Sequence, residues 1–86
     1  MVSRRRLRDT KTIDLFARNM RIIRQSQGLT MIKLSTLMDV EYVQVANLEL
    51  GKRDPSLTML KRVADALNVT IPDLLKNVSY PFSKET

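Results

Sequence analysis

The chain has no cysteine, no histidine and no tryptophan, and its 86 residues include only two glycines, three prolines and four aromatic side chains. Without cysteine there is neither a disulfide scaffold nor a thiolate metal site. Without histidine the commonest general base and metal ligand is missing. The carboxylates are scattered, no acid is paired with a base, and no glycine-rich loop could cradle a phosphate. The sequence therefore predicts no enzyme, no cofactor and no metal. So few glycines and prolines favour uninterrupted helices over turn-rich β architecture. No apolar run reaches the length of a bilayer span, and the basic start is not followed by a signal-peptide core. These absences lead to the expectation of a cytoplasmic protein with no membrane partner.

What is present is ordinary for one small domain, 43% hydrophobic and 28% charged, with enough apolar side chains for a single core. The formal charge is +6, from fifteen Lys and Arg against nine Asp and Glu. Arg4, Arg5, Arg6 and Arg8 hold four of those cations, which leaves eleven against nine over the rest of the chain. The basicity is thus mainly that of a short arm. Two readings fit it: a solvated terminus, or an arm laid along the backbone or groove of a nucleic acid.

Apolar spacing predicts five helices. The first covers residues 12–27, with Ile13, Phe16, Ala17, Met20, Ile23 and Gln27 on one face. Thr12 or Thr10 is its expected cap and Gly28 its expected stop. Thr30 caps a second helix over 31–38 whose buried side is Leu34 and Met38, with Leu37 beside them. A two- to three-residue break at Asp39 and Val40 leads to a third, over 41–50, with Val45 and Leu48 inward and Glu41 as a capping acid. Ser56 caps a fourth over 57–67, with Leu57, Leu60, Ala64 and Leu67 in register and Asn68 as its left-handed end. Thr70 and Asp73 form a capping box for a last helix containing Ile71, Leu74, Leu75 and Val78. The chain then divides into a basic arm at 1–11, a helical domain at 12–78 and a tail at 79–86.

Two helices joined by about three residues, the second with a polar outer face, describe a helix-turn-helix. The stretch 29–56, LTMIKLSTLMDVEYVQVANLELGKRDPS, resembles the Cro and lambda-repressor-like family, also called the xenobiotic-response-element family. The resemblance extends upstream through FARNMRIIRQSQG and downstream through LTMLKRVADALNVTIPDLL, so it spans about residues 13–76. It implies an all-α, five-helix DNA-binding domain with the helix-turn-helix at helices two and three. Three residues depart from the family's habit. Ser35 stands at a close helix contact usually given to Ala, and fits if its hydroxyl bonds back to its own helix. Asp39 stands where the turn usually has Gly, at a cost of about 1 kcal/mol if that position is left-handed. Met31 replaces a phosphate-contacting Gln, leaving the backbone N–H groups of Met31 and Ile32 to hold a phosphate.

The resemblance also implies residue roles. Arg24 on the first helix would pair with Glu49, an acid inside the apolar run Leu48-Glu49-Leu50 that asks for a partner. Tyr42, Val43 and Asn47, with Gln44 and Ala46 near the groove wall, would face the bases. Asn and Gln can bond adenine in pairs, and Val43 can pack on a thymine methyl. Lys33, Lys52, Arg53 and the helix start at Ser56 would meet the backbone. Against this stands the third helix itself, which carries two acids and no Lys or Arg over 41–50.

One domain reads few bases, so the leading expectation is a homodimeric repressor or autoregulator on two-fold symmetric double-stranded DNA, with half-sites about one turn apart. Leu74, Leu75, Val78, Tyr80 and Phe82 would supply the dimer surface. An equal reading folds Tyr80 and Phe82 back onto their own core. The alternative function is a protein-interaction module, or an antitoxin that binds both operator and toxin.

Overall fold

In the computed structural model, which describes residues 7–77, the chain turns helical directly after a carboxylate. Asp9 accepts hydrogen bonds from the Thr12 backbone N–H at 3.1 Å and from the Thr12 hydroxyl at 2.7 Å. The first helix, α1, is Thr10–Ser26. Thr12 and Thr10 are therefore not its caps. Asp9 takes that place because one carboxylate reaches both donors of Thr12, and the helix starts two residues earlier than the apolar pattern shows.

The second helix, α2, is Met31–Met38, capped by Thr30 Oγ1 accepting from Lys33 N at 3.0 Å. The third, α3, is Tyr42–Glu49. Glu41 occupies its N-cap position without a side-chain cap bond, which corrects the role expected of it. Its extra methylene makes it a poorer fit to the first-turn N–H groups than Asp, Ser or Thr. The fourth, α4, is Leu57–Leu67, capped by Ser56 Oγ accepting from Met59 N at 3.1 Å and closed by Asn68 at φ 59°. The last, α5, is the four-residue Ile71–Leu74. Its capping box is formed: Asp73 N donates to Thr70 Oγ1 at 3.2 Å, and Thr70 N to Asp73 Oδ2 at 2.9 Å. No strand occurs among the described residues.

The last helix is shorter than the spacing predicts because a side chain from α1 takes over its end. Asn19 Nδ2 donates to Leu74 O and to Lys76 O, both at 2.9 Å. Those carbonyls are satisfied without a further helical turn. The chain then returns alongside the start of α1, where Asn77 lines a shallow depression with Lys11, Thr12, Asp14, Leu15 and Arg18. Val78, Tyr80 and Phe82 lie outside the described residues.

All five helices meet in one core. Ile13, Phe16, Ala17 and Met20 enter from α1, Leu34 and Met38 from α2, and Val45 and Leu48 from α3; Val63, Ala64, Leu67 and Leu74 complete it. The first helix packs on α3, α4 and α5, while α2 packs on α3 and α4. Two expected core residues are outside: Leu37 is 55% and Leu57 80% exposed. Only the Leu34–Ser35–Met38 stripe of α2 is covered, and Leu37 lies about 100° round from Met38. Leu57 is the first residue of α4, a turn before the buried Val63 stripe takes hold. Leu74 differs the other way. It is fully buried in its own domain and is removed from the expected dimer surface, while Leu75 is half-buried against the core.

The two acidic caps give folding an acid limb. The Thr12 hydroxyl and backbone N–H hold the Asp9 carboxyl below its ordinary value. The Thr70 backbone N–H, then its hydroxyl, does the same for Asp73, helped by Lys76. A depressed folded pKa contributes stability above the unfolded value of about 3.9, and that stability is lost as pH falls through the lower folded value. Asp9→Ala should therefore melt below wild type most clearly near pH 5. The gap should narrow on acidification toward pH ~2; a gap independent of pH would show that the carboxylate's charge plays no part.

Candidate nucleic-acid interface

The turn between α2 and α3 is set by Asp39, which adopts φ 59°, ψ 48°. Its N–H donates to Thr36 O at 3.2 Å, and Val40 N donates to Ser35 O at 3.0 Å. Together they close α2 with a left-handed cap, and Val40 packs onto the core. Ser35 is buried, and its hydroxyl donates to Ile32 O at 2.6 Å. A small side chain fits this contact, and the bond leaves no unsatisfied hydroxyl.

The back of α3 is fastened to α1. Arg24 Nε donates to Glu49 Oε2 at 2.6 Å and its Nη2 to Oε1 at 3.0 Å, a two-pronged pair with side chains 10% and 5% exposed. The remaining prong, Nη1, donates to Leu29 O at 2.7 Å. The structure thus brings together Arg24 and Glu49, 25 residues apart, and spends the whole guanidinium fork on fixed acceptors. Arg21 Nη1 adds a contact to Glu49 O at 3.4 Å. The last turn of α3 therefore cannot rock without breaking buried charged contacts.

The opposite face of α3 is open. Tyr42 is 46% and Val43 56% exposed, and Gln44, Ala46 and Asn47 are half-buried along the same helix. Past Leu50, Gly51 takes φ +74°. A Cβ at Gly51 would stand 2.9 Å from Asp14 Oδ1, so this position demands glycine on backbone and steric grounds alike. Arg8 Nη2 reaches Gly51 O at 3.4 Å. That contact sets Arg8 beside the exposed Lys52 and Arg53, so three expected backbone cations meet at one end of α3. Arg4, Arg5 and Arg6 lie outside the described residues.

The other expected contacts are dispersed. Ser56 is exposed at the start of α4. Met31 is half-buried against the core, while Ile32 and Lys33 are exposed on the first turn of α2. Two shallow depressions border α3 and share Gln44 and Met59; one reaches Asp39, Glu41 and Arg62, the other Arg53, Asp54 and Ser56. Among the described residues no group of acids is placed to hold a metal ion, and no helix is long and apolar enough to cross a membrane.

Three polar residues of this framework escaped the sequence reading: Asn19, Arg21 and Arg62. Each bonds a backbone carbonyl of a distant segment, Arg62 Nη1 reaching Met38 O at 2.9 Å. A carbonyl acceptor leaves no mark in residue type, so no signal in the sequence singled them out.

Comparison with known proteins gives concordant results. Residues 20–74 match the model of a family described as helix-turn-helix. The chain is 30% identical over 61 residues to the HTH-type transcriptional regulator DdrOP3 of Deinococcus deserti; the match covers 71% of this chain and 47% of that protein, so the chain spans about half of its relative. The restriction-modification controller protein C.AhdI from Aeromonas hydrophila superimposes with a TM-score of 0.70 at 27% identity, over 72% of this chain and 94% of the controller. The clp gene regulator ClgR from C. glutamicum gives a TM-score of 0.71 at 25% identity, over 74% and 83% of the two chains.

Proposed function

The chain belongs to the helix-turn-helix family, and we propose that it is a DNA-binding transcriptional regulator, a dimeric repressor or autoregulator with no catalytic role, acting in the cytoplasm. One observation carries this reading. The outer face of α3 is exposed at Tyr42 and Val43 while its inner face is pinned by the buried Arg24–Glu49 pair, as a rigid probe for a groove requires. In this reading Tyr42, Val43, Gln44 and Asn47 meet base edges. Arg8, Lys52 and Arg53, with Ser56, Lys33 and the N–H groups of Met31 and Ile32, meet phosphates. Arg4, Arg5 and Arg6 extend the same basic arm. Leu75, Val78, Tyr80 and Phe82 remain the proposed dimer surface once Leu74 is withdrawn.

The test is selection of the protein against a random duplex library at about 150 mM salt, where binding through phosphates alone is suppressed. A recovered palindrome is the expected result, and its half-site spacing reports the dimer. Asn47→Ala should then change the preferred base at one position per half-site, by about 1–3 kcal/mol of discrimination, and leave affinity for random DNA nearly unchanged. Equal losses on both would remove Asn47 from the base readers.

A second reading has an observation of its own. The outer face of α3 is uncharged beyond Glu41, and Tyr42, Val43 and Leu50 expose apolar surface along it. A folded protein that recovers no motif would shift the assignment to a partner-binding module or an antitoxin.

A further inference from the structure

The acids at the leading end of α3 are a liability for any helix that must approach phosphates. Asp39 and Glu41 flank the turn, and α3 has no Lys or Arg to offset them. Glu41 makes no cap bond to its own helix, and neither acid joins a salt bridge among the described residues. The cation nearest in function comes from α4. Arg62 lines the same depression as Asp39, Val40, Glu41 and Gln44, and its Nη1 donates to Met38 O at 2.9 Å. Met38 is the last residue of α2, immediately before the turn. Its carbonyl is one of the C-terminal acceptors that the left-handed cap leaves open, since the cap N–H groups serve Ser35 and Thr36.

We propose that Arg62 is a positioning residue for DNA recognition: its bond to Met38 O ties the turn to α4, and its charge offsets Asp39 and Glu41 where α3 enters the groove. The proposal rests on the DNA-binding reading above. The two contributions are separable, because a lysine retains the charge but not the planar donor fork. The bond contributes to stability and the charge to affinity.

The experiment measures binding of the full chain to its selected duplex, alongside thermal melting, for Arg62→Lys, Arg62→Gln, Glu41→Gln and the Arg62→Gln/Glu41→Gln pair. Arg62→Gln should weaken binding about fivefold, the scale of one charge acting through solvent. Arg62→Lys should bind within about twofold of wild type, given that the charge is kept. Both should melt below wild type, because both lose the fork. Adding Glu41→Gln to Arg62→Gln should restore most of the affinity without restoring the melt. Equal affinity losses in the Lys and Gln variants, or no rescue by Glu41→Gln, would overturn the charge role. Wild-type binding with unchanged affinity in every Arg62 variant would overturn this inference alone. Absence of DNA binding by wild type itself would overturn the reading beneath it as well.

Discussion

Arg24→Ala should cost roughly 3–5 kcal/mol, because it strands the Glu49 carboxylate in a buried site. In a domain of this size such a loss takes a large share of the total stability, and it should lower the melting temperature by about 12 °C or more. Glu49 loses both of its side-chain partners in this variant, and Leu29 O loses its donor. Replacing both members by apolar residues, as in Arg24→Met with Glu49→Leu, should recover most of the melt, since buried pairs are exchanged for packing at little net cost. If Arg24→Ala melts as wild type does, the pair is not buried in solution and α3 is not held from behind.

The second large effect concerns salt. Changing Arg4, Arg5, Arg6 and Arg8 together to Gln should flatten the dependence of log affinity on log salt by up to about 3.6, or 0.9 for each phosphate released. Affinity at low salt should fall by about a hundredfold, with helical content and melting unchanged. Arg8 already stands beside Gly51, next to Lys52 and Arg53, so an arm continuing from it starts at the end of α3 where the other phosphate contacts are proposed. An unchanged salt slope would take the arm out of DNA binding and leave it as solvated chain.

How much of this was legible in the sequence depended on what kind of neighbour each residue has. Phe16, Met20, Leu34, Val45 and Leu67 are readable because burial of an apolar stripe repeats with the helix. The stops at Asp39 and Asn68 are readable because few residues tolerate a left-handed backbone, and both take φ 59°. The Arg24–Glu49 pair came through family resemblance and through the oddity of an acid between leucines. The edges of the stripes were not readable. Leu37 and Leu57 look as apolar as Leu34, and only the placement of neighbouring helices decides which is covered. Leu74 failed in the opposite sense: in so short a helix the period cannot show a direction, and its burial follows from α5 folding back onto α1. Asn19 was invisible for a related reason. A polar side chain on a helix reads as solvent-facing until the chain's far end arrives to use it.

That return of the chain has a topological consequence. Asn77 and Lys11 line one depression at the start of α1, so entry to and exit from the helical body share a flank and the molecule is nearly a ring. A bridge of a few residues could join those two points, and the circle could be reopened in the exposed segment around Asp54 without cutting a helix. A permuted chain of that kind would begin at the cap of α4 and end just after α3. It would keep every helix contact described above while reversing which end of the polypeptide lies beside the proposed groove-reading surface.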